Sequence, residues 1–489
     1  MKPEGYLGLD VGGTGAKAGV VDRRGRLLGF SHRAYAPRLT EEGHVEIPID
    51  RIYSAAQEAA VSSIRESGAR IMALSISSQG QTFVSLDEHD EPLFPAILWY
   101  DARASEQADR LRHSLQSANL KAMPKVPPIA TAPKILWLRE HFPGLMARAK
   151  RHLLLPDYLA YRLTGRAVTD PSTASSTGLY AQDAADYCPE ALAAADICKR
   201  ALAEIQKPGQ PIARVLPASA EPWGLDAETL VVTGTNDQYA GALGAGNCRT
   251  GVVSVTAGTC LALVTLTEEL PQPMPAGLFG GRFPIPRYQY ALAYSKTAGV
   301  VLDWFNRELS PGKSLRDLDE MASHTPPGSR GLMMLPHFDG MISPAPNPNA
   351  RGAFLNLSLH HTCADMYRAT LEALGYTLNE CIELFRQSGF DMQDVRAIGG
   401  AAKSDYWLQM IADITGLSIE RPVIVEAAVL GAAMIAAVGA GAFASLEESS
   451  EEFHKRERVF TSRPENHAVY EELGKNYGQL YRHIYRYRG

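Results

Sequence analysis

Short apolar runs of strand length open the chain, and stretches with helical periodicity follow them. Residues 6–10, 17–21, 26–29 and 71–77 are the first strand-like runs. The first two flank Asp10-Val11-Gly12-Gly13-Thr14-Gly15, which reads as a strand, a tight turn and a second strand. Helical periodicity marks 50–66, 103–115, 131–142 and 156–164, the last stopped by Thr164-Gly165. The 71–77 run leads into Gln79-Gly80-Gln81-Thr82, and 82–87 and 95–99 read as strands around a turn at 88–91. Residues 183–205 are alanine-rich and predict helix.

The second half repeats the opening order. A strand from Val231 ends at Thr235-Asn236-Asp237, and a helix begins at Gln238. Residues 251–264 echo the first glycine turn, with Gly258-Thr259 at the bend. A proline- and asparagine-rich loop spans 336–349. Helix 363–388, strand 395–398, the Gly399-Gly400 turn, helix 405–415 and an amphipathic tail at 464–488 follow. Strands alternating with helices predict an α/β fold. A chain of 489 residues exceeds one ordinary core, so two domains of roughly 250 residues are expected.

Composition narrows the function classes. Apolar residues make up 45% and charged residues 21%, as in ordinary globular proteins. The net charge of −6, with no basic tract, argues against a nucleic-acid partner. The six cysteines form no C-x-x-C pair and fit a reducing compartment. Met1-Lys-Pro-Glu-Gly has no apolar signal region, so a cytoplasmic protein is expected. Residues 427–444 carry no charge but are mostly alanine, which drives weakly into lipid. They read as a buried helix, and no membrane partner is expected.

The candidate chemistry lies in the two glycine turns. Backbone N–H groups and a threonine hydroxyl at such a turn can hold phosphate oxygens. Taken singly, a glycine turn between strands is also an ordinary hairpin. The spacing fits neither G-x-G-x-x-G nor G-x-x-x-x-G-K-[ST]. Duplication of the turn, with Asp10 placed to hold Mg²⁺ through water, favours a phosphate chain held from two halves.

Five segments together resemble the FGGY family of carbohydrate kinases, within the larger actin-like ATPase fold. They are Asp10-x-Gly12-Gly13-Thr14-x-x-Lys17; Ala96-Ile-Leu-Trp99-Tyr-Asp101-Ala-Arg103; Thr131-Ala-Pro-Lys134-Ile-Leu-Trp137; Gly234-Thr-Asn-Asp237-Gln238; and Gly352-Ala-Phe354-Leu-Asn356-Leu357 with Asp365 to Glu372. The likeness runs from about residue 5 to about 485. The chain departs from the family at Gly13, where threonine or serine is more usual, at Ile129, and at Asn356, where glycine is usual.

The resemblance implies two actin-like (ribonuclease H-like) α/β domains with a central cleft. Residues 1–247 would carry the sugar site and residues 248–489 the nucleotide site. It implies ATP-dependent phosphorylation of a sugar or polyol hydroxyl, with a pentulose such as xylulose among the candidates. Asp237 would be the base, although an aspartate between strand and helix also suits an N-cap. Asp10 would position Mg²⁺. Gly13, Thr14 and Lys17 would contact phosphates from one domain, Gly258 and Thr259 from the other; Lys17 also suits a solvated strand position. Gly299, Gly399, Gly400 and Ser404 would form the adenosine pocket. Gly80, Gln81, Trp99, Asp101, Asn236 and Gln238 would join Asp237 around the sugar. Gly80-Gln81 stands where xylulokinases carry Met-His and glycerol kinases carry Arg-Glu. A catalytically silent actin-like sugar- or nucleotide-binding sensor is the alternative, and a homodimer is left open.

Overall fold

A computed structural model of the chain describes residues 2–117, 124–181, 184–258 and 260–486. The chain forms two compact units. The first comprises residues 1–246, 281–286 and 428–453, and the second residues 247–280, 287–427 and 454–489. Two segments beyond residue 247 thus pack with the first unit.

The first unit is built on a six-stranded sheet. Its strands are β1 (Glu4–Val11), β2 (Gly15–Val21), β3 (Leu27–Ala34), β4 (Arg70–Ser78), β5 (Pro211–Arg214) and β6 (Leu230–Asn236), in the order β5-β6-β4-β1-β2-β3. The β1–β2–β3 meander is antiparallel, whereas β4 runs parallel to both β1 and β6. Helix α1 (Ile49–Ser67) buries Ile49, Ile52, Ala55, Ala56, Ala59, Ala60 and Ser63, a stripe at helical spacing that packs against β2 and β3. Gly68, at φ 61°, ends it in the left-handed conformation. A five-stranded sheet of Arg38–Leu39, Val45–Ile47, Ala96–Ile97, Phe83–Leu86 and Arg151–Leu154 adds to this unit. The unit also holds α2 (Thr131–His141), the short α3 (Pro171–Ser175) and α4 (Asp237–Gly244).

The alanine-rich stretch departs from the expected long helix. Among its described residues the α-helix covers only Pro189–Ala194, and Asp186–Tyr187 and Glu204–Ile205 are short strands. Ala185 and Asp196 take positive φ on either side of the helix. Burial of Tyr187, Ala191, Ala195 and Ile197 in one apolar cluster outweighs alanine's helix preference, which is worth under about 1 kcal/mol per residue.

The second unit is built on a seven-stranded sheet. Its strands are β7 (Gly251–Ala257), β8 (Leu261–Thr267), β9 (Leu278–Arg282), β10 (Gln289–Ser295), β11 (Met392–Ile398), β12 (Ile419–Pro422) and β13 (Arg456–Phe460), in the order β9-β10-β8-β7-β11-β12-β13. Five strands reproduce the first sheet. β10, β8 and β7 form the antiparallel meander, and β11 lies parallel between β7 and β12. The repeat hinted at by the two glycine turns is therefore a repeat of topology, the ribonuclease H-like order in each unit. Helices α5 (Gly299–Leu309), α6 (Leu315–Ser323), α7 (Cys363–Gln387) and α8 (Asp405–Thr415) complete the core with α10 (Pro464–Arg486).

Between α8 and α10 in sequence, helix α9 (Ala427–Gly439) is the uncharged segment. It is buried almost throughout, as its composition predicts. It packs backbone to backbone in the first unit. A Cβ on Gly8 of β1 would lie 2.0 Å from the Val429 carbonyl oxygen, and one on Gly431 would lie 1.9 Å from the Ala240 oxygen of α4. Only glycine allows those approaches. No described helix is long and apolar enough to cross a membrane.

Candidate active site

The C-terminal ends of β1, β4 and β6 form one edge of the first sheet, and the candidate catalytic groups stand along it. Asp10 pairs in register with Ser77, and Ser77 with Thr235. Neighbouring strands lie ~4.8 Å apart, so the Asp10 and Thr235 positions are about 10 Å apart across the sheet. Asp10 accepts a hydrogen bond from Ser77 Oγ at 3.3 Å. Lys17 faces Asp10 across the hairpin, so carboxylate and ammonium share one face. In the turn, Gly12 N donates to the Gly15 oxygen at 3.0 Å, and the Tyr35 hydroxyl donates to the Gly12 carbonyl. Thr14 is exposed.

Asp237 is the first residue of α4, directly after β6. The N-cap is Asn236, whose side-chain oxygen accepts from Gln238 N at 3.1 Å. Asp237 Oδ1 accepts from the same N–H at 2.8 Å. Asp237 is half-buried as a residue, and desolvation of its carboxyl pushes the pKa up to about 6, against the lowering effect of the Gln238 N–H. A carboxyl poised there is ionised at neutral pH and is a better base than an ordinary aspartate.

The predicted sugar residues fall into two groups. Gly80 and Asn236 meet: a Cβ on Gly80 would lie 3.3 Å from Asn236 Nδ2 and 3.0 Å from Ser176 Oγ. Gln81 has φ 52°, and its backbone is held on both sides. Its N–H donates to Ser176 Oγ at 3.0 Å and its carbonyl accepts from Thr131 Oγ1 at 3.3 Å. Trp99 is partly exposed and approaches the phosphate turn, its Nε1 3.8 Å from where a Cβ on Gly13 would sit. Gln238 has a buried side-chain oxygen without a hydrogen-bond partner among the described residues.

Asp101 sits differently. It accepts from Val45 N at 2.6 Å, Arg103 N at 3.0 Å, Arg103 Nε at 2.9 Å and Arg103 Nη2 at 2.7 Å. Burial alone would raise its pKa, but these donors hold the carboxyl below the usual carboxylate range. Its acceptor directions are filled by a buried clamp that also joins Arg103 to Glu46 at 2.8 Å.

Four residues with no assigned role in the sequence reading complete this edge. Ser77 contacts Asp10, and Ser176 anchors Gln81. Lys134 is fully buried, and its Nζ donates to the Leu98 carbonyl at 2.7 Å and the Trp99 carbonyl at 3.2 Å. Desolvation draws its pKa down to about 7. Gln79 is buried beside Gly13. The signal available for Lys134 was a lysine inside an otherwise apolar helix face.

In the second unit the predicted residues gather at the ends of β7 and β11. The Gly258 carbonyl accepts from Gly299 N, the start of α5, at 2.8 Å. Gly399 has φ 83° and ψ −170°, a conformation open to glycine, and its Cβ position lies 3.3 Å from the Ala257 oxygen. Among the described residues, its own chain neighbours aside, no atom lies within 4 Å of a Cβ built on Gly400. Thr259 lies outside the described residues. The Ser404 hydroxyl accepts from Trp407 N at 3.0 Å as the cap of α8 and donates to Asp319 Oδ2 at 2.6 Å. Its side chain thus holds α8 to α6.

The sequence models of the N-terminal and C-terminal domains of the FGGY family of carbohydrate kinases match residues 5–244 and 253–440. A xylulose kinase of Bacillus subtilis is 30% identical, over 98% of this chain and 96% of its own. The chain belongs to the FGGY family of carbohydrate kinases. A ligand-bound xylulose kinase structure from Lactobacillus acidophilus superposes with a TM-score of 0.87 at 25% identity, covering 98% of both chains. A gluconate kinase from the same organism reaches the same TM-score at 24% identity over 98% of both chains, so this fold does not by itself choose the sugar. This two-domain actin-like protein is an ATP-dependent sugar kinase acting on a small molecule.

Proposed function

We propose that this kinase phosphorylates a neutral ketose of the xylulose class, with Asp237 as the general base. The observation that carries the reading is the edge row itself. The carboxyl of a half-buried aspartate, whose helix is capped by its neighbour, stands two strands from the glycine turn. The candidate sugar contacts Gln81, Asn236, Gln238 and Trp99 are neutral, which favours an uncharged polyhydroxyl over a sugar acid. The name of the Bacillus subtilis relative, matched over 98% of this chain and 96% of its own length, supports xylulose within that class.

A sugar hydroxyl attacks the γ-phosphorus of ATP. The new O–P bond forms as the bond to the β,γ-bridging oxygen breaks, and the hydroxyl proton passes late to Asp237. Gly13 and Thr14 would cradle the transferred phosphoryl group, and Lys17 would offset its charge. Gly258, Thr259, Gly299, Gly399 and Gly400 would bind the nucleotide, with Ser404 positioning that turn through α8. Asp101 would act through Arg103 to hold the Trp99 loop.

Mg²⁺ suits Asp10. The hard carboxylate at a phosphate turn is the donor type Mg²⁺ takes, and Mg²⁺ keeps most ligands as water and nucleotide oxygens. No cluster of three or more metal-binding side chains occurs among the described residues, so the protein offers a contact rather than a cage. When bound, the ion would neutralise phosphate charge. A cytoplasmic location belongs to the same proposal: all six cysteines are free thiols.

The test is ADP release with Mg-ATP across a panel of ketoses, aldoses, polyols and sugar acids. D-Xylulose should be turned over best, and Asp237→Ala should lose about 10²–10⁴-fold in kcat. Turnover of a sugar acid in preference, or an active Asp237→Ala, would refute the proposal.

A further inference from the structure

Gln79 occupies the middle of the catalytic edge. Val11 of β1 and Asn236 of β6 both stand opposite Ser78 of β4, so the next position along each strand is Gly12, Gln79 and Asp237 in turn. Gln79 N donates to the Val11 oxygen at 3.4 Å, which carries the ladder one residue further. The side chain is 3% exposed, and neither Oε1 nor Nε2 has a hydrogen-bond partner among the described residues. A buried primary amide idle at both ends is unfavourable, so its place on the catalytic edge calls for a partner that completes it.

The direction of the amide is also set. Oε1 lies 3.3 Å from the place a Cβ on Gly13 would take, and that place is 3.8 Å from Trp99 Nε1 and 3.8 Å from Tyr100 Cε1. The carboxamide therefore looks past the glycine of the phosphate turn toward the Trp99 loop. A hydroxyl placed between Asp237 and a phosphoryl group on that turn would lie against it. An amide presents one acceptor and two donor hydrogens, which complements two neighbouring hydroxyls. It also carries no charge to repel the phosphate chain.

We propose that Gln79 binds the sugar directly, gripping a vicinal diol that includes the hydroxyl to be phosphorylated. Oε1 accepts a hydrogen bond from the neighbouring hydroxyl while Nε2 donates one to the reacting oxygen, which turns that oxygen toward the phosphoryl group and leaves its proton to Asp237. The proposal rests on the reading of this edge as the sugar site, with Asp237 as its base.

The test uses the full-length enzyme. Binding of D-xylulose is measured calorimetrically without nucleotide for wild type, Gln79→Met and Asp237→Ala, with KM for sugar and for ATP measured alongside. Gln79→Met should weaken sugar binding at least 10-fold with KM for ATP within 2-fold. It should also release more than one ADP per sugar phosphate formed, because a misplaced hydroxyl leaves the phosphoryl group to water. Asp237→Ala should lose turnover about 10²-fold or more with a loss of sugar affinity smaller than that of Gln79→Met, because it removes one contact to the diol and not two, which separates failure of Gln79 from failure of the base. If wild type binds another panel sugar and not D-xylulose, the substrate reading fails and the same comparison on that sugar still judges Gln79. Sugar affinity within 2-fold of wild type in Gln79→Met, or equal losses for sugar and ATP, overturns the proposal. If Gln79→Met does not fold, Gln79→Asn replaces it: reduced sugar affinity at constant KM for ATP supports the assignment, and parallel losses overturn it.

Discussion

Replacing Gly431 with alanine tests whether α9 sets the position of the base. The new Cβ would lie 1.9 Å from the Ala240 carbonyl oxygen and 2.7 Å from its carbon. Non-bonded contacts need roughly 3.4 Å or more, so one helix must retreat by about 1.5 Å. Ala240 is one helical turn from Asp237, and α4 is only eight residues long, so the displacement reaches the carboxyl. A misplacement of ~1 Å at a reacting group costs on the order of 10²-fold in rate. Overpacking destabilises by about 1–3 kcal/mol, against a gain near 1 kcal/mol from alanine's better helix propensity. We expect Gly431→Ala to fold with lowered thermal stability and to lose about 100-fold in kcat in an ADP-release assay. The control is Gly474→Ala in α10, whose nearest neighbour is a Tyr376 ring atom at 3.9 Å. That variant should gain about 0.5–1 kcal/mol and keep full activity. A Gly431→Ala enzyme with kcat within 2-fold of wild type would refute the buttress.

Two further substitutions separate chemistry from stability. Asp237→Asn should lower kcat about 10²–10⁴-fold while stabilising the protein. The folded carboxyl titrates at about 6 against an ordinary 3.8, so ionising it opposes folding by about 3 kcal/mol at 1.36 kcal/mol per unit. A raised carboxyl pKa favours the fold below the ordinary value, and that contribution is lost as pH rises through 6. The gain from asparagine should therefore be full at pH 8 and smaller at pH 5 in thermal denaturation. Asp101→Ala should destabilise by about 3 kcal/mol, the lower end for breaking a buried pair, because the buried Arg103 guanidinium keeps Glu46 as its remaining carboxylate partner. The Asp101 pKa is lowered, so its support is present at neutral pH and is lost only as acid takes the carboxyl below the usual range.

Much of the scaffold was legible because its signals are local. Gly165 stops a helix by its left-handed φ of 74°, and α8 begins at its Ser404 cap, as the residue types suggest. The 183–205 stretch was misread because its alanines favour helix, while the apolar cluster they enter is set by distant residues. The uncharged α9 was recognisable as buried. Its packing against β1 and α4 was not, since that depends on glycines some 190 and 420 residues away in sequence meeting carbonyl oxygens.

The places of Asp10, Gly13 and Asp237 in the fold were legible because a motif fixes the backbone there: the first ends a strand, the second sits in the turn after it and the third opens a helix. Asp101 looked like a ligand because its motif lies beside Trp99. Arg103, two residues on, was the sign that the carboxylate is engaged in the fold. Gln79 was hidden beside the Gly80-Gln81 pair that drew attention. Its place becomes visible once strand register puts it between the first glycine turn and Asp237.

Phosphoryl transfer here depends on the carboxyl of Asp237 acting as the proposed base with a pKa near 6. The pH dependence of kcat/KM for the sugar, at saturating Mg-ATP between pH 4.5 and 8, tests this directly. The wild-type enzyme should lose activity through one protonation centred at about 6, and the residual rate of Asp237→Asn should show no such limb. A wild-type profile flat down to the ordinary aspartate range, or the same limb persisting in Asp237→Asn, would contradict it.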